Sequence, residues 1–303
     1  MIADIGITDE SWLGRRPGLF APEPSDLLRI PKRPARSNKG TFGRVLVIAG
    51  SMGMAGAALF CAKAAYACGC GLVKIVTCEE NRSIIQTSLP EAILSVYQTQ
   101  DSEQMREDLL AEAIRWADVI AIGPGLGTAP AACKMTRQVL LTAKTPVIAD
   151  ADALRILADQ PDLLRQSSAS LIVTPHPGEM AGLCKKKIPD ILKDLRGVAV
   201  QFAAQYDLIC VLKDAVTVTA GPSGTYLNTS GCSAMAKGGS GDILTGMIAA
   251  LAAQGMELQE AAYIGVYLHG LAGEAAAEQT GSYSVLAGDL LHAIGTVFHK
   301  YLA

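Results

Sequence analysis

Val45-Leu-Val-Ile-Ala-Gly-Ser-Met-Gly-Met-Ala-Gly-Ala-Ala-Leu-Phe-Cys-Ala-Lys-Ala-Ala-Tyr-Ala-Cys-Gly-Cys-Gly-Leu-Val-Lys-Ile-Val76 holds one complete strand, helix and strand. Val45 to Ile48 is apolar without alternation, the pattern of a strand buried on both faces. The alanine-rich stretch Ala57 to Cys68 predicts a helix, closed by Gly69 and Gly71. Leu72 to Val76 predicts the next strand. Two such strands joined through a helix predict a parallel crossover.

The rhythm continues downstream. Asp118 to Ile122, Pro146 to Ala149 and Leu171 to Thr174 predict strands separated by helical segments. Ile191, Leu192, Leu195, Val198 and Phe202 predict one further amphipathic helix. The pattern breaks once. Leu208 to Leu212 and Val216 to Thr219 are joined only by Lys213-Asp214-Ala215, and Gly221-Pro-Ser-Gly224 leads into a third strand, Thr225 to Asn228. A link this short cannot make a parallel crossover, so an antiparallel meander is expected. Helices around Ala261–Glu278 and Gly288–Tyr301 end the chain. The expected fold is α/β: three α/β/α layers, with a mostly parallel central sheet and a small antiparallel meander. Residues 1–38, rich in Pro and Arg, read as an arm or linker, and residues 39–303 as one domain.

Half of the 303 residues are hydrophobic and 18% are charged, enough apolar material for a large core. The net charge of -3, with no basic cluster interleaved with aromatics, argues against a nucleic-acid partner. The sequence has no apolar run of the roughly 18 residues a bilayer span needs. It lacks a signal-peptide layout at its N-terminus. The eight cysteines form no C-x-x-C pair. Cys61, Cys68, Cys78 and Cys210 lie in apolar segments and read as small buried hydrophobes. A reducing, cytoplasmic setting is expected.

Chemistry concentrates in Ala236-Lys237-Gly238-Gly239-Ser240-Gly241-Asp242. Ile243, Leu244, Met247, Ile248 and Leu251 follow at helical spacing, so this run opens a helix. Uncovered main-chain N–H groups at a helix N-terminus form an anion site. A carboxylate beside a phosphate site is repelled by the phosphate, and removing a proton from an attacking hydroxyl is a task that would place it there. The plain alternative is a turn with Asp242 as a favourable first-turn acid. Other candidate loops follow the strands: Gly50 to Gly53, Gly123 to Gly127, Asp150-Ala-Asp152, and Thr174 to Glu179 with His176 between two prolines. Asp150 and Asp152 read equally well as helix caps. All lie at the carboxyl edge of one sheet, where open α/β sheets bind ligands.

Taken together, Lys39-Gly-Thr-Phe-Gly-Arg-Val-Leu-Val-Ile-Ala-Gly-Ser51, Gly-Pro-Gly-Leu-Gly127, Ala-Asp-Ala-Asp-Ala-Leu154, Thr-Pro-His-Pro-Gly-Glu179, Val-Leu-Lys-Asp-Ala-Val-Thr217 and Gly-Gly-Ser-Gly-Asp242 resemble the ADP-dependent NAD(P)H-hydrate dehydratases of the ribokinase-like fold. The resemblance runs from about Lys39 to the C-terminus. It implies repair of the S epimer of hydrated NADH or NADPH, with ADP (ATP in eukaryotic members) leaving as AMP and phosphate, and a magnesium ion on the phosphates with no protein ligand assigned. Asp242 would be the base that takes the hydroxyl proton. Gly239, Ser240 and Gly241 would hold the phosphate charge. Nucleotide contacts carry over onto Lys213, Asp214, Ala215, Val216, Thr217 and Gly241, and substrate contacts onto Ala57, Gly125, His176 and Asp242. A cytoplasmic homotetramer and an NAD(P)H-hydrate epimerase as functional partner are also implied. Lys237 and Ser240 depart from the family's usual Thr at both positions, and Lys237 adds charge near the phosphates. Ile2-Ala-Asp-Ile-Gly-Ile7 resembles the end of the epimerase domain of bifunctional members, so the chain is expected to be a dehydratase portion of such a protein.

Two rivals share the motif. A ribokinase-like kinase acting on a hydroxymethyl group of a vitamin precursor would use the same Gly-Ser-Gly-Asp apparatus. A non-catalytic nucleotide-binding regulator has no use for a repelled carboxylate at Asp242.

Overall fold

A computed structural model describes residues 18–98 and 100–302; the Ile2 to Ile7 segment lies outside them. In chain order the elements are β1 (Leu19–Phe20), β2 (Arg44–Ile48), α1 (Ala55–Ala67), β3 (Leu72–Cys78), α2 (Arg82–Ser88), β4 (Ile93–Tyr97), α3 (Glu103–Trp116), β5 (Val119–Ile122), α4 (Pro130–Thr142), β6 (Val147–Ala149), α5 (Asp152–Asp159), α6 (Asp162–Gln166), β7 (Leu171–Val173), α7 (Pro177–Cys184), α8 (Ile188–Lys193), α9 (Leu195–Tyr206), β8 (Ile209–Leu212), β9 (Thr217–Gly221), β10 (Gly224–Asn228), α10 (Ser240–Ala253), α11 (Leu258–Thr280) and α12 (Ala287–Leu302).

The ten strands form one sheet, in the order β1-β10-β9-β8-β7-β6-β5-β2-β3-β4. β9 is antiparallel to both its neighbours, and the other pairs are parallel. The expected meander is therefore present, closed by the turn after Leu212.

Strand periodicity sorts the core into two halves. Val45, Val47, Val73, Ile75, Val119 and Ala121 face a layer containing α1, α10, α11 and α12. Their neighbours Leu46, Ile48, Val76, Ile120 and Ile122 face the opposite layer, built from α3 to α9. Both faces are dry, which is why the strands read as continuous apolar runs rather than alternating ones.

Two expectations are corrected, and one strand is added. The segment read as an arm is docked from Gly18 onward: Leu19 and Phe20 pair with Thr225 and Tyr226, Leu27 is fully buried and Ile30 nearly so. Burying one such leucine contributes about 2 kcal/mol, and its proline-rich flanks hid that signal. The helix expected through Ile191 and Phe202 is two helices. Asp194 leaves helical geometry (φ -150, ψ 68) and its carboxylate accepts from the Gly197 N–H at 2.7 Å, starting α9 afresh. Ile93 to Tyr97, unread in the sequence, is the edge strand β4; with one neighbour and Ile93 exposed, it lacks the dense apolar signature of the centre.

Helix α10 lies against α1 with backbone in contact. A Cβ on Gly246 would collide with the Cys61 carbonyl. Gly246→Ala should therefore lower the unfolding free energy by about 1–3 kcal/mol in denaturant titration. Gly295 of α12 has open space around its Cβ position, so Gly295→Ala should stabilise by about 0.5–1 kcal/mol.

Candidate functional site

The sheet's winding reverses beside β2. The chain proceeds from β2 to β3 and β4 on one side, then returns to place β5 on the other. Such a switch point opens a crevice beyond the strand ends. There the Gly50 and Ser51 N–H groups donate to the Pro124 and Gly125 carbonyls at 2.9 and 2.6 Å. Gly125 presses on α1 so closely that a Cβ on it would stand 2.8 Å from the Ala57 Cβ. Ala57 and Gly125, expected to share a substrate surface, are thus adjacent.

The mouth of α10 borders this crevice. Gly239 is its N-cap, with φ +94, and an added Cβ would meet the Phe60 ring at 2.7 Å. Only glycine makes that turn. Of the three amides expected to face an anion, that of Ser240 makes a long bond, 3.3 Å, to the Lys237 carbonyl. The Ser240 hydroxyl lies 3.3 Å from His269 Nε2, a buried contact across 29 residues that no sequence spacing signals. Burial depresses the His269 pKa to about 4, so the ring is neutral at pH 7. Lys237 is exposed and its ammonium donates to the Tyr283 carbonyl at 3.3 Å.

The turn between β8 and β9 supplies Lys213, Asp214, Ala215 and Val216, with Asp214 to Val216 exposed and Thr217 buried at the start of β9. The Lys213 N–H donates to the Pro175 carbonyl at 2.8 Å, which ties this turn to the His176 loop. Its Nζ stands 3.3 Å from the Cβ position of Gly241 and donates to Asp150 Oδ1 at 2.9 Å. Lys213 is therefore ion-paired beside the opening of α10.

His176 caps α7. Its Nδ1 accepts from the Gly178 and Glu179 N–H groups at 3.0 and 3.4 Å, while Glu179 Oε2 accepts from the His176 N–H at 2.8 Å. With Nδ1 used as an acceptor, the neutral ring carries its proton on Nε2, 3.5 Å from Glu179 Oε1. The ring remains more than half exposed.

Asp150 is not a helix cap. Its carboxylate is 1% exposed and turned inward. Asp152, in the first turn of α5, accepts from the Gly127 N–H at 2.8 Å and so pins the Gly123–Gly127 loop.

These groups set the charge balance at Asp242. Burial pushes its carboxyl up to about 7, and the negative charges of Asp150, Asp152 and Glu179 add to the rise against the opposing Lys213 ammonium. Burial also raises Glu179. Burial pulls Lys213 down but is outweighed by Asp150, Glu179 and Asp242, so its pKa rises. The arrangement can take a proton near neutral pH beside a held cation and the open end of a helix. Among the described residues no three His, Cys, Asp or Glu side chains converge to hold a metal ion.

The family model described as NAD(P)H-hydrate dehydratase matches residues 45–296. A bifunctional NAD(P)H-hydrate repair enzyme of Moorella thermoacetica is 40% identical over 267 residues, covering 87% of this chain and 50% of that protein. The chain thus spans about half the length of the curated relatives it matches. An ADP/ATP-dependent NAD(P)H-hydrate dehydratase from Bacillus subtilis, co-crystallised with ATP and Mg2+, superposes with a TM-score of 0.76 at 34% identity, covering 89% of this chain and 94% of that one. A ribokinase-like superfamily protein from Enterococcus faecalis superposes with a TM-score of 0.83 at 29% identity, covering 95% and 98%.

A carboxyl raised in the folded state but ordinary in the unfolded one costs stability. The unfolded chain ionises it from about pH 4 and the folded chain only near 7, so the cost grows between those values and is constant above. Asp242→Asn should therefore melt higher than the parent at pH 8, by up to about 4 kcal/mol, with the gain shrinking as pH falls towards 4. Thermal melts of both proteins across that range check this.

Proposed function

The chain belongs to the NAD(P)H-hydrate dehydratase family, and on that premise we propose that it returns the S epimer of hydrated NADH or NADPH to the working coenzyme, consuming ADP, or ATP, and releasing AMP, or ADP, with phosphate. The observation that carries the reading is the juxtaposition of Asp242, Lys213 and the opening of α10 at the carboxyl edge of the sheet.

Water added across a ring double bond cannot leave as hydroxide at neutral pH. Asp242 takes the proton of the ring hydroxyl as its oxygen attacks the terminal phosphate. The new P–O bond forms, and the bond to the departing nucleotide breaks. The ring nitrogen's lone pair then expels phosphate, and loss of the proton on the adjacent carbon restores the double bond. Lys213 and the amides of Gly239, Ser240 and Gly241 hold the charge that gathers on the phosphoryl oxygens. Asp214 to Thr217 border the nucleotide. Ala57, Gly125 and the His176 Nε2–H line the coenzyme side. Magnesium, when bound with the nucleotide, would supply charge neutralisation at the phosphates beside Lys213.

The S-epimer preference makes an NAD(P)H-hydrate epimerase the functional partner, a reading supported by relatives that are named bifunctional repair enzymes and are about twice the length this chain spans. Eight unpaired cysteines support a cytoplasmic setting. No helix among the described residues is long and apolar enough to cross a membrane. A homotetramer is the proposed assembly, and sedimentation should give four times the 31.6 kDa chain mass.

Incubated with hydrated NADH, ADP and magnesium, the protein should restore the near-ultraviolet absorbance of NADH and release AMP. A flat trace with ATP consumed on an added alcohol would mark a small-molecule kinase instead. Asp242→Asn should lower turnover by about 10²–10⁴-fold while nucleotide affinity holds or rises. In the parent, kcat/KM should rise about tenfold per pH unit below 7 and level off above it.

A further inference from the structure

Asp150 is the most enclosed carboxylate of the site, and the proposed reaction leaves it without a task. It follows β6 directly, and three elements converge on it. Lys213 Nζ, beyond β8, donates to Oδ1 at 2.9 Å; the Thr174 hydroxyl, beyond β7, donates to the same oxygen at 2.7 Å. The Thr245 hydroxyl of α10 reaches Oδ2 at 2.9 Å, and also lies 3.2 Å from the Gly241 carbonyl. Thr245 stands three residues after Asp242, on the same face of the helix. The next residue, Ala151, holds φ +49 and ψ -118, a conformation rarely adopted by a residue with a Cβ. That turn lets consecutive acids diverge: Asp150 points inward to Lys213, and Asp152 outward to the Gly127 amide.

We propose that Asp150 is the positioning residue of the site: it fixes the Lys213 ammonium against the opening of α10 and faces Asp242 with a compensated negative charge. The inference deepens the proposed function and rests on it for the role of the phosphate corner; the geometry at Asp150 does not depend on which alcohol is phosphorylated. A buried carboxylate with an ammonium and two hydroxyls is satisfied. It cannot also open to solvent or bind substrate, being 1% exposed. Its effect on Asp242 is electrostatic. The groups facing Asp242 are Asp150 just after β6, Lys213 just after β8, Asp152 from α5 and Glu179 from α7, with the neutral thiol of Cys61 on α1 also near. Among the acids Asp150 exerts the largest influence, second only to burial.

The test titrates Asp242 directly, by carbon NMR of its carboxyl in the full chain, and needs no turnover. In Asp150→Asn the Asp242 titration should move down by about one pH unit or more. In Thr245→Val, which removes a hydrogen bond but no charge, it should stay in place. In Lys213→Met it should move up, because the ammonium itself lowers Asp242; Asp150→Ser carries the test of Asp150 if Asp150→Asn fails to fold. Calorimetry with ADP as the probe gives the second readout: Asp150→Asn should weaken binding about tenfold or more, through a loosened Lys213. An Asp242 titration unmoved in the folded Asp150 variant would overturn the proposal, as would unaltered ADP affinity in that variant. If the parent binds no ADP, the functional reading fails while the titration still decides whether Asp150 acts on Asp242.

Discussion

A carboxylate enclosed just beyond the carboxyl end of a central strand is the constraint on which the rest of the site is arranged. An unpaired carboxylate in that position is prohibitively costly, and the molecule meets the cost by bringing an ammonium and two hydroxyls to it from three other elements. The carboxyl ends of β6, β7 and β8 and the first turns of α10 thereby share one set of bonds. Displacing any of them leaves a buried group unpartnered, so the loops that carry Lys213, His176 and Asp242 are held in register by the same interaction. The two helix N-termini at the site solve local versions of the same problem. At α7 the His176 ring and the Glu179 carboxylate satisfy exposed amides reciprocally. At α10 no side chain caps the helix, whose N-cap is the left-handed Gly239.

The charge arrangement also separates two demands that conflict. In the proposed reaction Asp242 has to be basic enough to take a proton, which partial shielding from water provides, and burial of an acid is destabilising. The fold holds Asp242 at the rim, where Lys213 moderates the cost. The acid that is deeply enclosed is the one given a full complement of partners.

The central strands were legible because burial on both faces leaves no polar alternation, as in Val45 to Ile48 and Asp118 to Ile122. The meander was legible because three residues cannot cross a layer. The edges were not: β4 is half-exposed, and β1 is two residues long, so neither carries a pattern distinct from a loop. At the site, Asp242 and His176 stood out because glycine and proline fix the backbone around them. Asp150 did not, since an acid between a strand and a helix is also what a cap looks like. Thr245 and His269 gave no signal, and Thr174 was read only as the first residue of the His176 loop, because a hydroxyl or a neutral imidazole becomes informative only when the fold sets it against a partner tens of residues away.

Leu19 and Phe20 pair with Thr225 and Tyr226, and Arg29 bonds Glu260 of α11 at 2.7 Å. The partners of this N-terminal stretch are synthesised about 200 residues later. At ribosomal speeds of about 5–20 residues per second, the interval is roughly 10–40 s. During that time Leu27 has no core to enter, so the segment must wait unshielded, and the strand at that edge of the sheet is added only after nearly the whole domain has emerged.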